Sequence, residues 1–234
     1  MTARIVRLLR YPVKSLGLEE IGEATLTEGQ TFPWDRTWAV THEHTRADGT
    51  EWARCLNFLR VASSPLLAAV RAKLDPATET LTLTHPDRPD LTVAPDTSPK
   101  DLVDWAAPLT AEGRAAPKGV VRVPGRGMTD SSFPSISIAN MASHRAVEQK
   151  AGHDLSLYRW RSNIWLDGLA PWQEFEWVGR DIRIGAAVLR VEERIERCLN
   201  VLANPETGRR DHDLLAVLKT WGHQYFSVAA TVVQ

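Results

Sequence analysis

The stretch AAVRAKLDPATETLTLT, residues 68–84, sets the fold class. Its end, Thr80-Leu81-Thr82-Leu83-Thr84, alternates polar and apolar side chains without a break, the period of a strand with one buried face. Asp75-Pro76-Ala77-Thr78 supplies turn chemistry between it and residues 68–74, so the whole reads as a β-hairpin. The same strand character extends outward in both directions. Residues 5–13, IVRLLRYPV, are a β-rich opening in which Pro12 suits a strand edge or end. Residues 24–27, 36–41, 162–167, 179–192 and 226–233 also read as strands.

Helical signals are fewer. Ser98-Pro99-Lys100-Asp101 places a capping serine before a first-turn proline, so a helix should run to about residue 107, before Pro108. Asn140 can cap a helix over residues 141–151 that stops at Gly152. Leu214, Val217, Leu218 and Trp221 share one helical face, started by Asp211 and Asp213 and ended at Gly222. Residues 111–127 hold four Gly and two Pro and read as an irregular connection, near which the domain boundary is placed. The expected fold is α+β and β-dominated with about three helices, divided into a β-rich N-terminal domain (1–110) and a second domain (111–234). No internal repeat stands out.

Composition narrows the function. With 234 residues, 43% apolar and 24% charged, the chain is an ordinary globular protein able to bury a core. Lys plus Arg is 28 against 29 Asp plus Glu, so the net charge of −1 argues against a nucleic-acid binder, and any basic site must be local. Arg4, Arg7 and Arg10 interrupt the first apolar stretch, and no apolar run approaches a membrane span, so the chain is expected in the cytoplasm. Two cysteines are too few for a disulfide framework. Nine Trp against five Phe and three Tyr point to a few large side chains dominating the packing.

Several common chemistries have no motif here: there is no G-x-G-x-x-G after a strand, no phosphate loop, no G-x-S-x-G and no H-E-x-x-H. His42 and His44 share a strand face near Glu43 and Asp48 and could ligate a metal, although polar hairpin tips carry the same pattern. Cys198, in Glu196-Arg197-Cys198-Leu199-Asn200, lies beside guanidinium groups that favour the thiolate, the form that acts as nucleophile or soft-metal ligand. Cysteines in β segments are more often small buried hydrophobes, and Cys55 reads as core or loop. Four polar sets stand at strand ends: Lys14-Ser15, Asp35-Arg36, Asp130-Ser131-Ser132 and Arg161-Ser162-Asn163. Arg and Lys with small hydroxyls suit an oxyanion or phosphate, although each set alone also fits a solvated turn.

Tyr11-Pro12-Val13-Lys14-Ser15, Asp35-Arg36-Thr37-Trp38, Asp130-Ser131-Ser132, Arg159-Trp160-Arg161-Ser162-Asn163-Ile164 and Arg197-Cys198 with Pro205-Glu206-Thr207-Gly208 occur in one order. That order resembles the MOSC family, named for the C-terminal domain of molybdenum cofactor sulfurase, preceded by its N-terminal β-barrel domain; the amidoxime-reducing component branch is the most similar part of it. The resemblance implies a MOSC-type β-barrel packed against a smaller β-rich domain, and a molybdopterin-type molybdenum cofactor held between them. Cys198 matches the family's metal ligand. Lys14, Ser15 and Arg36 match positions that hold the pterin and its phosphate, Asp130, Ser131 and Ser132 a loop beside it, and Arg161 and Asn163 two further contacts. Arg197, next to the cysteine, belongs with them.

The implied chemistry is two-electron reduction of N-hydroxylated compounds such as amidoximes, hydroxylamines and N-hydroxylated base analogues, the oxygen leaving as water. The chain has no cysteine set for an iron–sulfur cluster and no flavin fingerprint. By resemblance the electrons come from a ferredoxin-like or cytochrome b5-like donor protein with a flavin reductase, and the chain itself is expected to be a monomer. Two alternatives remain: a sulfur carrier using a Cys198 persulfide, and a molybdopterin-binding carrier without turnover. The Lys14-Ser15 and Arg161/Asn163 sets favour a bound cofactor, since sulfur transfer needs a thiolate and an acceptor but no phosphate cradle. Departures from the pattern are Leu16, where a cysteine often follows, and short loops over residues 111–127. A third is the stop at Val232-Val233-Gln234, where relatives add a Gly-Asp turn and another strand, so either a truncation or a different closure is expected.

Overall fold

A computed structural model describes residues 3–234. The first part of the chain forms β1 (Arg4–Arg10), β2 (Glu19–Ile21), β3 (Trp38–His42), β4 (Arg71–Asp75), β5 (Thr80–His85), β6 (Arg88–Val93), α1 (Pro99–Ala106) and β7 (Pro117–Arg122). The rest forms β8 (Ile136–Asn140), α2 (Met141–Ala151), β9 (Ile164–Asp167), β10 (Asp181–Ile184), β11 (Ala187–Glu196), α3 (Leu214–Lys219) and β12 (Tyr225–Val232). The fold is thus β-dominated α+β with three α-helices, as expected.

The hairpin forms where its alternation puts it. β4 pairs antiparallel with β5, Asp75 opposite Thr80, and Leu81 and Leu83 point into the core while the threonines between them face outward. β6 completes this three-stranded sheet, a strand the sequence reading missed. α1 ends within a residue of its expected stop, burying Leu102, Val103, Trp105 and Ala106. The Ser98 hydroxyl makes no capping bond.

α2 spans its expected residues. The Asn140 side chain accepts from the Ala142 amide, and Gly152 at φ 73° ends the helix in the left-handed conformation glycine tolerates. This helix is the crossover between β8 and β9, which pair in parallel, a geometry that requires such a connection. β1 then pairs antiparallel with β9. The resulting sheet has seven strands in the order β10-β11-β12-β8-β9-β1-β2. β10 and β2 are its edges, so among the described residues the strands make an open sheet and not the closed barrel expected from resemblance.

Two strand expectations change. Residues 24–27 form no strand. Within 111–127, read as irregular, β7 pairs antiparallel with β3, Val120 opposite Val40. Its Gly and Pro content hid it: Gly119 lies opposite Thr41, whose hydroxyl donates to the Gly119 carbonyl at 3.1 Å.

Two of the core clusters are built around large aromatic side chains. Trp38, Trp105, Leu81 and Leu102 pack around the N-terminal sheets, while Trp160, Trp165, Phe226 and Leu214 pack under α2 and α3. Trp160 stacks on Phe226 with ring centres 3.8 Å apart. No helix among the described residues is long and apolar enough to cross a membrane.

Candidate functional site

Because β1 lies beside β9, the residues that follow β1 meet those that precede β9. Asn163 locks this junction: its amide nitrogen donates to the Leu9 carbonyl at 3.2 Å and its side-chain oxygen accepts from the Ser137 amide at 3.0 Å. Above it opens a cavity of about 1040 Å³. Of the residues singled out from sequence, Lys14, Ser15, Arg36, Asp130, Ser131, Arg161, Asn163, Arg197 and Cys198 all line it. Ser132 does not; its carbonyl accepts from Arg126 at 2.9 Å, outside the lining.

Three lining residues adopt backbone conformations unusual for side-chain-bearing residues: Ser15 at φ 66°, Arg36 at φ 54° and Arg161 at φ 50°. Such strain persists only where surrounding structure holds it, and it concentrates at sites that aim side chains. Here the two arginines are turned over one aromatic ring, Arg36 at 5.1 Å and Arg161 at 4.2 Å from the centre of Tyr11.

The cations differ in what their donors do. Lys14 is spent on the Met128 carbonyl and on Asp130, each at 2.6 Å. Burial pulls its pKa down, against the opposing pull of Asp130. Arg36 pairs with buried Asp35, which also accepts the Tyr11 amide at 2.9 Å, and donates to the Arg161 carbonyl at 3.1 Å. Arg197 anchors the turn carrying Cys198: it donates to the carbonyls of Trp160 and Phe226, each at 2.8 Å, and to the Ser227 hydroxyl. Burial holds Arg197 down to about 10.

Arg161 is the exception. Its Nη2 is buried and has no hydrogen-bond partner, although buried guanidinium donors are normally satisfied. Burial, then repulsion from Arg36, pulls its pKa to about 10, so it remains charged at neutral pH. At the rim, crowding would raise the Asp130 carboxyl, but Lys14, followed by Arg36 and Arg161, holds it below the ordinary carboxylate range. Six cations, Lys14, Arg36, Arg60, Arg161, Arg194 and Arg197, line this space against four carboxylates, Asp130, Glu192, Glu193 and Glu196, and one donor of Arg161 is left unpaired. Such a site binds an anion with hydrogen-bond acceptors. Cys198 is exposed on the same wall, ready to act as a soft ligand or nucleophile.

Sequence reasoning missed Cys55, Arg60, Ser137 and Glu193, which also line the cavity. Glu193, on β11, accepts from the Ser131 hydroxyl at 3.3 Å and so ties the 130–132 loop to the opposite wall. Cys55, read as core or loop, had a signal available: Arg54-Cys55-Leu56-Asn57 repeats Arg197-Cys198-Leu199-Asn200. The His42 and His44 pair is otherwise engaged, His42 Nε2 meeting the Leu56 carbonyl at 2.8 Å and its Nδ1 accepting the His44 amide at 3.2 Å. Among the described residues no group of three or more His, Cys, Asp or Glu is arranged to hold a metal ion.

Comparison with known proteins places this geometry. The molybdenum cofactor sulfurase of Drosophila grimshawi is 33% identical over 81 residues, covering 35% of this chain and 10% of that protein. The chain thus spans about a tenth of the length of this curated relative. The model of the MOSC N-terminal beta barrel domain matches residues 2–122, and that of the MOSC domain matches residues 130–234. With one model ending at residue 122 and the other starting at residue 130, and with the residues of both meeting at a single cavity, this chain belongs to the MOSC family.

Proposed function

We propose that the protein is a molybdenum cofactor-dependent reductase of N-hydroxylated compounds, among them amidoximes, hydroxylamines and N-hydroxylated base analogues. MOSC domains occur in molybdenum cofactor-binding proteins. The observation that carries the reading is the unpaired, buried Nη2 of Arg161 in a cation-rich cavity that also holds the exposed thiol of Cys198. A phosphate-bearing pterin with a soft metal needs those two things together: donors for the anion and a thiolate for the metal.

In this reading Lys14, Ser15 and Arg36 surround the pterin and its phosphate, the two cations acting through charge since their donors are engaged within the protein. Arg161 adds a further contact, and Cys198 is the protein ligand to molybdenum. Bound there, the cofactor supplies the two-electron redox chemistry. The chain supplies position. Arg197 fixes the Cys198 turn through the carbonyls of Trp160 and Phe226, Lys14 and Asp130 hold the 128–132 loop, and Ser131 braces it against Glu193. Residues 1–110 and 111–234 act as two domains that each contribute one side of the cradle. Both cysteines are free, and by resemblance to the family a ferredoxin-like or cytochrome b5-like protein with a flavin reductase delivers the electrons. The protein works as a monomer in the cytoplasm.

A second reading is favoured by the name of the relative: in a sulfur carrier, Cys198 would hold a persulfide for a metal centre. The deciding measurement is molybdenum per chain by elemental mass spectrometry, in protein from a host that makes the cofactor, beside Cys198→Ser. Near-stoichiometric metal that falls in Cys198→Ser, together with reduction of a hydroxylamine by an artificial donor, supports the reductase. Metal and pterin without turnover point to a carrier. Absence of both in folded protein, with a persulfide detected on Cys198, overturns the proposal in favour of sulfur transfer.

A further inference from the structure

The two cysteines of the chain sit in near-identical hexapeptides, Arg54-Cys55-Leu56-Asn57-Phe58-Leu59 and Arg197-Cys198-Leu199-Asn200-Val201-Leu202. The likeness extends to conformation. In each, the cysteine carbonyl accepts the amide three residues on, Phe58 at 3.2 Å and Val201 at 3.3 Å, and a short 3-10 turn follows. Each turn is tied to the body by its asparagine: Asn57 accepts the Arg46 amide at 2.9 Å, and Asn200 donates to the Arg159 carbonyl at 3.4 Å. In each the leucine after the cysteine is exposed, Leu56 at 62% and Leu199 at 47%. Both cysteines line the same cavity, Cys55 half-buried and Cys198 exposed.

We propose that Cys55 and Cys198 form a reversible disulfide across this cavity when it holds no ligand, closing it to an anionic occupant. The pairing follows from placement: the only two thiols of the chain are presented by matching turns into one space, where Cys198 bears electrostatically on Cys55. Burial, then Asp130, pushes the Cys55 thiol up, while Lys14 and Arg60 pull it back. The more exposed Cys198 meets a hydroperoxide first. Its thiolate attacks the peroxide, giving a sulfenic acid and releasing hydroxide. The Cys55 thiolate then displaces hydroxide from that sulfur, forming the S–S bond, so that two thiols and one hydrogen peroxide give one disulfide and two waters. The inference concerns the chain itself and holds whether Cys198 serves a metal or a persulfide.

The test is hydrogen peroxide at one equivalent on the full chain freed of cofactor, followed by thiol counting and non-reducing tryptic mapping. The expected result is two thiols before and none after, restored by dithiothreitol, with the 55–60 peptide joined to the 198–209 peptide within one chain. Cys55→Ser should instead accumulate sulfenic acid at Cys198, trapped with dimedone, under the same dose. Protein loaded with the cofactor should keep its thiols unlinked, and oxidised protein should lose at least tenfold in affinity for inorganic pyrophosphate. Absence of the linked peptide, with Cys198 sulfenic acid accumulating equally fast in wild type and in Cys55→Ser, would overturn the proposal. So would linkage only between chains. Neither result bears on molybdenum content, so the disulfide can fail while the reductase reading stands.

Discussion

Replacing Arg161 separates what the site costs the fold from what it gives to binding. Arg161 sits at φ 50°, where a Cβ crowds the following carbonyl at a cost of roughly 1–2 kcal/mol. Glycine escapes that cost but gives back roughly 0.5–1 kcal/mol in chain entropy. Arg161→Ala and Arg161→Gly both remove the guanidinium, its contact with Tyr11 and its repulsion with Arg36, so those effects cancel between the two variants. Arg161→Gly should therefore be the more stable by about 1 kcal/mol, which corresponds to about 2–4 °C in Tm for a chain of this size. Both variants also lose the donor left unpaired at Nη2. A hydrogen bond to a charged group contributes about 1.5–3 kcal/mol, so affinity for inorganic pyrophosphate should fall roughly 10- to 150-fold in both. Urea unfolding and titration calorimetry at pH 7 read the two effects. With Arg161 held at about 10, the gap in affinity between wild type and Arg161→Ala should stay level through neutral pH and close only as pH rises toward 10 and the proton is lost. Unchanged pyrophosphate affinity would refute the assignment of Arg161 as an anion donor, and an alanine variant as stable as the glycine one would refute the strain.

Two further outcomes test the scaffold. His144 accepts from Trp160 Nε1 at Nδ1 and meets the Leu155 carbonyl through Nε2, each at 3.0 Å, and burial lowers its pKa despite the nearby Glu148. The unfolded chain therefore takes up a proton there before the folded one, and stability should drop as pH falls below 6.5; a urea midpoint equally pH-dependent in His144→Gln would refute this. At Gly127 an added Cβ would come 2.0 Å from the Asp35 carbonyl oxygen, so Gly127→Ala should cost about 3 kcal/mol, and a calorimetric loss under about 1 kcal/mol would show that the Asp35-Arg36 turn yields easily.

Local patterns were legible in the sequence where the cause of the structure is itself local. The alternation at residues 80–84 and the cap and stop around α2 depend on neighbours a few residues away, and both formed as read. β7 escaped because its strand character comes from pairing with β3, far away in the chain, against its own Gly and Pro content. The open sheet likewise reflects which strands find partners, something no single segment records. At the site, the polar sets at strand ends were visible as residues, and the structure brings all of them except Asp35, Ser132 and Ser162 to the lining of one cavity. What could not be read was the division of labour: that Lys14, Arg36 and Arg197 have their donors committed while Arg161 does not.

That division explains how the fold tolerates a cluster of like charges. Arg36 is balanced by Asp35 and Lys14 by Asp130, and Arg197 is solvated by two carbonyls and a hydroxyl in place of water. Aromatic faces take up part of the remaining charge: Tyr11 lies under Arg36 and Arg161, and Trp160 and Phe226 lie near Arg197 at 5.9 and 5.8 Å. The deficit left at Arg161 persists in the empty protein, on a side chain that lines the cavity. An anion that satisfies Nη2 binds the folded chain and not the unfolded one, so occupancy and stability rise together. The same residue that weakens the empty protein is therefore the one that makes binding discriminate between charged and neutral occupants.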